Sequence, residues 1–456
     1  MSSRPVAFSA ERLLHILQSL PTVNAYVVAY SGGADSTALL HALNSLEDKL
    51  ATPVSAIHIN HGLHADADLW QSQCENFCQL NNIELTCLSI DLQNKSGKGL
   101  EAEAREQRYQ AMTDLLEPGS CLLTAHHADD QAETLMLNLM RGSGVDGLSA
   151  MPVSRPLAHA LLQRPLLSFL NSSLKDYLRN NDTEWVEDPS NQQLDHDRNF
   201  VRHEVIPLLE QRWPEVSKRL LLTSKAMSDT RALLEGLADS YLETNLSHPF
   251  VLDLSQQVNS NQELLKLVIR RWIKQLDLAA IGVYQLATFC QQALQAGPDH
   301  NVTVAWGGCE LRLYKHQLWL LNQPQIVPCP TLVWPQDSNS VELGPDIGQL
   351  IMEGSHSNGP GAGLTVGARN NMNESAIDQG LQHKSLKNLF QAADIPPWLR
   401  DCIPLCKIDN NLASVGDWCF SQDFAAEMSA SGGRLHWYPR NPLLQYIHCQ
   451  QHADKP

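Results

Sequence analysis

The fold is decided by residues 25–46, which read AYVVAYSGGADSTALLHALNSL. The first six residues are an apolar run that is too short for a helix and suits a buried parallel strand. Residues 37–46 are largely apolar and long enough for a helix. A turn with two adjacent glycines joins the two parts. The stretch therefore predicts a strand, a loop and a helix, which is the building unit of an α/β domain.

The same alternation continues on both sides of this stretch. A helical pattern precedes it within residues 1–23. The predicted strands that follow cover 54–60, 83–90 and 121–126, and the predicted helices cover 68–81, 100–116 and 129–141. Alternating strands and helices predict a doubly wound parallel sheet. We assign this α/β fold to an N-terminal domain over residues 1–215.

The rest of the chain has a different pattern. A chain of 456 residues has room for about three domains. Long helical periodicity predicts a mainly helical domain over 216–335, with strand-like segments after residue 301. Residues 336–363 are rich in Gly, Asn, Ser and Pro, which predicts a linker. A small α+β domain is predicted over 364–447.

The composition limits the class of protein. With 43% hydrophobic and 18% charged residues, the chain is of an ordinary globular type. No apolar run approaches the roughly 20 residues of a membrane span, and the N-terminus lacks a signal-peptide pattern. Eleven cysteines without an export signal predict reduced thiols in a cytoplasmic protein. The net charge of −17 argues against a protein that coats nucleic acid, but it permits a local basic surface.

The loop from Ser31 to Ser36 carries the first chemical signal. Glycines let backbone N–H groups approach an anion, two serine hydroxyls are donors, and a helix N-terminus favours negative charge. These features predict a pyrophosphate cradle without the lysine of a Walker A loop. A carboxylate at Asp35 would repel phosphate, which suggests a bound Mg²⁺ between them. The alternative is a plain strand-to-helix turn in which Asp35 caps the helix.

The second signal is HHADDQAET at 126–134, followed by RGSGVDGL at 141–148. Asp130 and Glu133 are three residues apart and share a helix face at the carboxyl end of a strand, where α/β sheets bind ligands. These carboxylates are suited to hold Mg²⁺ or an ammonium group. The alternative is a first helical turn in which acidic residues favour the helix dipole. The histidine pair either contacts phosphates or is satisfied within the strand end.

The loop resembles the PP-loop, S-G-G-x-D-S, of ATP pyrophosphatases, which cleave ATP between the α- and β-phosphates. The second motif narrows the likeness, because HHxDDQxET followed by RGxGxxGL is similar to the tRNA(Ile)-lysidine synthetase family. Further matching stretches are EAEAREQRY at 101–109, EDPSN at 187–191 with Arg198, Asn199 and Arg202, LKNLF at 386–390 and IPPWLR at 395–400. The resemblance covers the N-terminal domain and the final domain, and the middle part fits by length and type.

The resemblance implies an ATP-dependent ligase that uses Mg²⁺ and acts on isoleucine tRNA with a CAU anticodon. In that family, O2 of the wobble cytidine attacks the α-phosphate of ATP and pyrophosphate is released. The ε-amine of free L-lysine then attacks C2 and expels AMP. The product pairs with A instead of G, so the tRNA changes its identity from methionine to isoleucine.

The implied roles fall on the two motifs. ATP binding is expected of the loop and of one histidine: Ser31, Gly32, Gly33, Ala34, Asp35, Ser36 and His126. Asp35 is also the expected metal ligand and is expected to take part in catalysis. Asp130 and Glu133 are expected to bind lysine and to take part in catalysis. Arg105 or Arg108 is expected to stabilise phosphate charge, with ion pairs to neighbouring glutamates as the alternative.

Basic clusters are the candidates for tRNA contact, because RNA affinity depends on local positive charge. They lie near the end of the first domain, around Trp272, and in the last domain: Arg198 and Arg202, then Lys266, Arg270 and Arg271, then Lys387 and Arg400. For either of the first two clusters, a solvated helix face is the alternative.

Three other functions compete with this interpretation. A tRNA thiolase of the same superfamily needs paired cysteines, and the chain has no C-x-x-C pair. A glutamine-dependent amidotransferase needs a further glutaminase domain, which is not evident in the sequence. A non-catalytic RNA-binding protein would not need the intact loop together with Asp130 and Glu133.

Overall fold

The chain forms two compact units, Met1–Leu234 and Glu235–Pro456. The computed structural model describes residues 7–60, 62, 66–90, 100–187, 197–254, 261–297, 301–322, 326–354, 363–371, 376–378, 383–409 and 411–453, without the side chains of 100–106, 371, 383 and 384. Within these ranges, no helix combines the length and the apolar character that a membrane crossing requires.

The first unit is built on a six-stranded sheet. Its strands are β1 (Tyr26–Ala29), β2 (Val54–Asn60), β3 (Glu84–Ser89), β4 (Cys121–Leu123), β5 (Ser154–Leu157) and β6 (Ala160–Gln163). The spatial order is β3-β2-β1-β4-β6-β5, and all neighbours are parallel except β5 and β6. The predicted α/β fold is confirmed, and the sheet is parallel as predicted except for β5, which is antiparallel at its edge.

Helices connect these strands. They are α1 (Ala10–Gln18), α2 (Ala34–Asn44), α3 (Ala67–Leu80), α4 (Leu100–Asp114), α5 (Ala128–Met140), α6 (Val145–Leu148) and α7 (Asn171–Asn180). Leu13, Val28 and Leu39 are fully buried in the core between these elements. Cys74 and Cys78 are buried in the same core, as their helical spacing predicts. Burial of a large apolar side chain contributes about 1.5–3 kcal/mol, so this core supports the sheet edge that carries the site.

A helical segment closes the first unit. α8 (Asp197–Phe200), a π-helical turn (Val201–Val205) and α9 (Ile206–Arg212) follow one another directly, and α10 (Val216–Asn245) comes next. Ser224 Oγ donates to the Ser149 carbonyl (3.0 Å), and Arg231 Nη1 donates to Ser149 Oγ (2.7 Å). The first half of α10 therefore belongs to the first unit. The boundary between the compact units lies inside this helix, whereas the sequence predicts a domain boundary at 215.

The second unit begins with an antiparallel sheet and two helices. They are β7 (Leu246–His248), β8 (Val251–Asp253), α11 (Gln262–Gln275), α12 (Val283–Gln295), β9 (Val302–Trp306), β10 (Cys309–Tyr314) and β11 (Gln317–Asn322). The sheet order is β7-β8-β11-β10-β9. Apolar residues of α11, among them Trp272, are buried against this sheet and α12. The region predicted as mainly helical thus also contains a complete antiparallel sheet.

The linker predicted over 336–363 is wrong in its described part. β13 (Ser340–Glu342) pairs with β14 (Gln349–Glu353), and β14 pairs with β21 (Arg434–Tyr438). Val341, Leu350 and Met352 are buried in the core of this region. The high content of Gly, Asn and Pro conceals two short strands, because three to five residues of alternation give little signal.

The remaining elements complete the second unit. They are β12 (Leu332–Val333), β15 (Thr365–Gly367), β16 (Ala376–Asp378), β17 (His383–Ser385), α13 (Leu386–Ala392), β18 (Leu405–Ile408), β19 (Asn411–Val415), β20 (Cys419–Phe420), α14 (Gln422–Ser431) and α15 (Pro442–Ala453). One sheet has the order β12-β15-β18-β19-β20. A single core contains Trp319 of β11 together with Phe390 and Trp437. Parts of the predicted middle and last domains therefore share one core within this unit.

Candidate functional site

The site lies at the carboxyl ends of two adjacent strands. β1 lies between β2 and β4 in the sheet. The loop Ser31–Ser36 follows β1, and the segment His126–Asp130 follows β4 and leads into α5. Because β1 connects to one side of the sheet and β4 to the other, this edge is the switch point at which α/β sheets bind ligands. The fold thus brings both sequence motifs together.

Gly32 shapes the loop after β1. Its φ of +80° lies in the left-handed region, where glycine is favoured. A Cβ atom here would lie 2.8 Å from Cys74 Sγ and 3.1 Å from Val186 Cγ2. The Gly32 carbonyl accepts hydrogen bonds from the Val186 N–H (2.9 Å) and from Thr37 Oγ1 (3.1 Å). Glycine is therefore required both by the backbone conformation and by the available space.

The serine hydroxyls hold the loop closed on itself. The Ser31 N–H donates to Ser36 Oγ (3.3 Å), and Ser36 Oγ donates to the Gly33 carbonyl (3.1 Å). α2 begins with Gly33 as its N-cap, without a side-chain cap. Asp35 lies inside the first turn, so the alternative in which it caps the helix is wrong. A helix N-terminus without a side-chain cap leaves N–H groups for an anion.

α5 begins with a reciprocal cap between two site residues. The His127 N–H donates to Asp130 Oδ2 (3.0 Å), and His127 Nδ1 is positioned 3.2 Å from the Asp129 N–H. Both His127 and Asp130 are buried. This cap fixes the orientation of the Asp130 carboxylate, which the sequence analysis had identified only by its helix face.

Three carboxylates surround the His127 imidazole. Its Nε2 atom lies 3.4 Å from Asp35 Oδ2 and 3.5 Å from Asp130 Oδ2, and its Nδ1 atom lies 3.5 Å from Asp129 Oδ2. Burial acts to lower the pKa of His127, but Asp130, Asp35 and Asp129 outweigh it and raise the pKa to about 9. The ring is therefore a cation at neutral pH. In that form Nδ1 carries a proton and faces the Asp129 carboxylate, and the hydrogen bond from the Asp129 N–H to Nδ1 belongs to the neutral ring.

Asn171 joins Asp35 to the same cluster. Its Nδ2 atom donates to Asp35 Oδ1 (2.6 Å), and its backbone N–H donates to Asp129 Oδ2 (2.8 Å). No local pattern in the sequence points to Asn171, because Asp35 and Asp129 lie 136 and 42 residues away from it in the chain. His127 was noted only as one of a histidine pair. The position of His127 directly before the acidic start of α5 is the feature of the sequence that points to its contact with these carboxylates.

Glu133 is buried beneath two arginines. Arg202 donates from Nε to Glu133 Oε1 (2.6 Å) and from Nη2 to Glu133 Oε2 (3.0 Å), and its Nη2 also contacts Asp130 Oδ1 (3.0 Å). Arg198 Nε lies 3.3 Å from Glu133 Oε2. Burial raises the pKa of Glu133, although Arg202 opposes this effect. For Asp130, burial is outweighed by His127 and its other partners, and the pKa is lowered.

The π-helical turn Val201–Val205 carries Arg202. Such turns insert an extra residue into a helix and often occur at functional sites. Here the turn places Arg202 over Glu133 and Asp130, 69 and 72 residues away in the chain. The arginine predicted to contact tRNA is therefore paired with the two predicted lysine-binding carboxylates.

Two cavities meet at this cluster. The first has a volume of about 340 Å³ and combines an apolar wall with the loop: Ile57, Ile59, Tyr109, Met112, Ser31 and Ser36. The second has a volume of about 1280 Å³ and contains the acidic cluster with Asn171 and Arg202. Both cavities are lined by Ser31, Gly33, Asp35 and Asp130. A ligand at these four residues would be accessible from both sides.

Of the other residues predicted for catalysis and ATP binding, His126 lines the first cavity, and the side chain of Arg105 is not among the described residues. His126 lines this cavity, and its Nδ1 atom lies 2.9 Å from Thr124 Oγ1. Arg108 lines it as well. Arg105 is on α4, one turn before Arg108, but its side chain lies outside the described residues. The structure thus brings the predicted loop, His126, Asp130 and Arg108 to one cavity.

The candidate tRNA-binding residues of the second unit have varied environments. Lys266 pairs with Glu263 (2.8 Å), and Arg271 pairs with Asp239 (2.6 Å). Arg270 and Lys387 are exposed. Arg400 is only 7% exposed, and its Nε donates to the Ile395 carbonyl (3.0 Å). A contact between Arg400 and RNA would require its guanidinium to leave this interior position.

Comparisons with known proteins match three segments of the chain to family models. Residues 7–209 match the PP-loop domain, residues 252–319 match the TilS substrate binding domain, and residues 364–437 match the TilS substrate C-terminal domain. The first segment contains the whole cluster around His127. The other two lie in the second compact unit.

Curated relatives match almost the full chain. The tRNA(Ile)-lysidine synthase of Alkalilimnicola ehrlichii is 35% identical over 92% of this chain and 95% of its own length. That of Coxiella burnetii is 33% identical over 95% of this chain and 97% of its own length. A solved U34-tRNA thiolase, NcsA from Methanococcus maripaludis, covers 48% of this chain and 78% of its own chain at 17% identity and a TM-score of 0.39, a likeness too weak to bear on function. The full-length matches and the ATP-binding PP-loop show an ATP-dependent ligase that modifies tRNA, and the chain belongs to the tRNA(Ile)-lysidine synthase family.

Proposed function

We propose that the first cavity binds ATP, that the second binds L-lysine and the wobble cytidine of the CAU-anticodon isoleucine tRNA, and that the reaction takes place where the cavities meet. The observation that carries this proposal is their shared wall. Ser31, Gly33, Asp35 and Asp130 line both cavities. If the adenosine of ATP lies in the first cavity, its phosphates can lie at this shared wall. A substrate in the second cavity can then reach them.

The shape of the first cavity supports its assignment to ATP. Ile57, Ile59 and Met112 provide an apolar wall that suits adenine, and Tyr109 adds an aromatic ring. Ser31 and the N-terminus of α2 supply donors for the phosphates. His126 and Arg108 also line this cavity and are positioned for phosphate contact. Arg105, on the same helix as Arg108, keeps its predicted role as a cation for the developing phosphate charge.

The residues around the shared wall fit a magnesium ion. Mg²⁺ prefers oxygen ligands and is usually held by one or two carboxylates together with substrate phosphates. The Asp35 side chain is one-third exposed and lines both cavities. We propose that Asp35 is the protein ligand, with Asn171 fixing its carboxylate through the hydrogen bond to Oδ1. When bound, the ion neutralises charge between this carboxylate and the phosphates.

The charge of the second cavity supports lysine as the amine donor. Free lysine carries two ammonium groups and one carboxylate. Among the described residues, seven carboxylates line this cavity against four cations, with the protonated His127 included: Asp35, Asp129, Asp130, Glu133, Glu187, Glu210 and Glu215, against His127, Lys175, Arg202 and Lys218. The excess of negative charge favours a cationic ligand. Asp130 and Glu133 remain the proposed lysine-binding pair, with Arg202 holding both carboxylates in position.

The chemistry requires two substitutions and a proton acceptor. Cytidine O2 attacks the α-phosphorus and pyrophosphate leaves. The lysine ε-nitrogen then attacks C2, and AMP leaves with the former O2 atom. The ammonium group must first lose a proton. Glu133 is the better acceptor of the carboxylate pair, because burial raises its pKa whereas the pKa of Asp130 is lowered.

We propose that the regions 216–335 and 364–447 hold the tRNA. The matches to a substrate binding domain and a substrate C-terminal domain support this role. Exposed Arg270 and Lys387 are the foremost candidates for phosphate contact. Lys266 and Arg271 can contribute if RNA phosphates compete with Glu263 and Asp239 for them. For Arg198 and Arg202, we propose that holding the carboxylates Asp130 and Glu133 is the main role and that contact with tRNA is secondary.

The test is incorporation of radiolabelled lysine into transcribed isoleucine tRNA with a CAU anticodon, in the presence of ATP and Mg²⁺. We expect base-stable label in this tRNA and none in methionine tRNA. Asp35→Ala should lower the rate by about 10²–10³-fold or more. Asp176→Ala is the matched control, because it removes an exposed carboxylate paired with Arg179 in the same unit. AMP formation without lysine incorporation would assign a different nucleophile and overturn the proposal.

A further inference from the structure

A second cluster of imidazole and carboxylate groups lies in the second unit, and the reaction described above does not use it. Asp417 follows β19 in the chain and is buried, with 7% of its surface exposed. His448 and His452 lie on α15 and direct their Nε2 atoms toward its carboxylate. His448 Nε2 is 3.0 Å from Asp417 Oδ2, and His452 Nε2 is 3.0 Å from Asp417 Oδ1.

The two histidines are spaced for one shared ligand. They are four residues apart, so they lie on one face of α15, and their ring centroids are 4.5 Å apart. The ligand atoms of all three residues lie within 4.8 Å of one another. Ligand atoms of one tetrahedral zinc ion are about 3.3 Å apart when the bonds are about 2.0–2.1 Å long. The ligand atoms would therefore have to approach one another by at most about 1.5 Å to bind one ion, and the exposed His452 side chain can rotate to allow this.

The surroundings of Asp417 orient it for this purpose. The backbone N–H of Trp437, on β21, donates to Asp417 Oδ2 (3.0 Å) and so fixes the carboxylate. The indole ring of Trp437 meets the His448 ring edge-on, with centroids 5.5 Å apart. Partners of this kind outside the ligand set hold ligating groups in place in metalloproteins. The His452 side chain is 38% exposed, which leaves an entry path and room for a water ligand.

We propose that Asp417, His448 and His452 form a binding site for a divalent transition-metal ion of the zinc type. Nitrogen ligands favour Zn²⁺, Co²⁺ or Ni²⁺ over Mg²⁺, which prefers oxygen ligands. On binding, each Nε2 atom exchanges its hydrogen bond to Asp417 for a bond to the ion. A neutral ring then carries its one proton on Nδ1, and a protonated ring releases its second proton to solvent. The ion fastens α15 to the loop after β19. The family model of the C-terminal domain ends at residue 437, before this helix begins.

The test is equilibrium dialysis of the full-length protein against Zn²⁺, with Mg²⁺ in excess to occupy oxygen-ligand sites such as Asp35. We expect one tightly bound zinc ion per chain. His448→Gln and His452→Gln should each weaken binding by more than about 10-fold, because even partners outside a ligand set are worth about 10–100-fold. With Co²⁺, the wild type should show the intense visible absorption of tetrahedral coordination, and both variants should lose it.

Two control variants make the result specific. His436→Gln removes another imidazole of the same unit, which lies 3.5 Å from Glu353, and Cys449→Ser removes an exposed thiol on α15. Both should bind Zn²⁺ like the wild type. Thermal melts in EDTA check that His448→Gln and His452→Gln are folded. Equal binding by the wild type and both histidine variants, or loss of the ion in Cys449→Ser, would overturn the assignment. Neither result bears on lysine incorporation, which tests the other site.

Discussion

Each compact unit contains a buried cluster of imidazole and carboxylate groups, and the two clusters have opposite composition. In the first unit, one imidazole, His127, is surrounded by Asp35, Asp129 and Asp130. In the second, one carboxylate, Asp417, is approached by two imidazoles. The ratio of acids to bases decides what each cluster can bind.

The difference follows from elementary electrostatics. Three carboxylates within 3.5 Å stabilise the protonated form of the His127 ring and raise its pKa to about 9. A protonated ring offers no lone pair to a metal ion. Among the described residues of this cluster, the carboxylate oxygens then remain as ligands, which suits Mg²⁺ and ammonium groups. At Asp417 a single carboxylate faces two rings, and nitrogen ligands become available. In our two proposals, the same residue types thus bind a hard cation in one unit and a transition metal in the other.

The sharpest way to break the first cluster is Glu133→Gln. The change leaves Arg202 and Arg198 facing a neutral amide in the interior. We expect a loss of about 3 kcal/mol in the free energy of unfolding, because Arg202 loses its hydrogen bonds to a charged acceptor and keeps only its contact with Asp130. Urea unfolding measures it. Glu263→Gln, which breaks an exposed pair with Lys266, should change this free energy by at most about 1 kcal/mol. Similar small losses in both variants would show that the buried pair is not important for stability.

The His127 cluster also predicts a pH dependence. Its pKa is raised on folding from 6.5 to about 9. A raised pKa contributes stability that is fully present below pH 6.5 and is lost as the pH rises through 9. The loss is on the order of 3 kcal/mol. Urea unfolding in metal-free buffer between pH 6 and pH 10 measures it, and His127→Gln should flatten the profile. An unchanged slope in this variant would assign the pH dependence to other groups.

Local patterns in the sequence predicted the core of the first cluster. The informative residues of the loop Ser31–Ser36 lie within ten residues of one another, and so do those of the helix start at Asp130. The strand before each motif is a short apolar run. Their meeting at one sheet edge follows from the α/β alternation, since carboxyl ends of parallel strands share an edge. The α/β alternation also located the elements themselves. The predicted strands and helices of residues 54–141 differ from the observed ones by at most three residues at either end.

Contacts between distant residues account for what the sequence did not predict. Arg202 was predicted to contact tRNA because it is basic, and its pairing with Glu133 joins residues 69 positions apart. Asn171 contacts Asp35 across 136 positions. Asp417 and His452 are 35 positions apart and lie on different elements. Periodicity describes neighbours within one element, so it contains no information about such pairs.

A glycine in the left-handed region stands beside each cluster and offers a matched pair of variants. Gly32 has a φ of +80°, and Gly416, which precedes Asp417, has a φ of +54°. In Gly416→Ala the new Cβ would lie 2.1 Å from the Trp418 ring, which must move. We expect Gly32→Ala and Gly416→Ala each to lower the free energy of unfolding by about 1–2 kcal/mol from the backbone conformation alone. Thermal or urea unfolding measures both effects.

The two glycine variants should differ in ligand binding, although they lose similar stability. Gly32→Ala should raise the KM for ATP, because the loop that holds the phosphates would have to shift away from Cys74. Gly416→Ala should leave the KM for ATP unchanged and weaken Zn²⁺ binding. A common effect of the two variants on ATP would contradict the assignment of separate ligands to the two clusters.

The smallest effect is expected for His452→Gln without metal. Its side chain is 38% exposed, so its hydrogen bond to Asp417 contributes at most about 1 kcal/mol after solvent screening. In EDTA the variant should therefore melt close to the wild type. With Zn²⁺ the wild type should melt at a higher temperature, because an ion that binds only the folded state stabilises it, whereas the variant should not respond. A large fall in the melting temperature in EDTA would mean that His452 stabilises the fold without a metal ion. The two clusters would then differ in their contribution to stability, and not in the ion that each one binds.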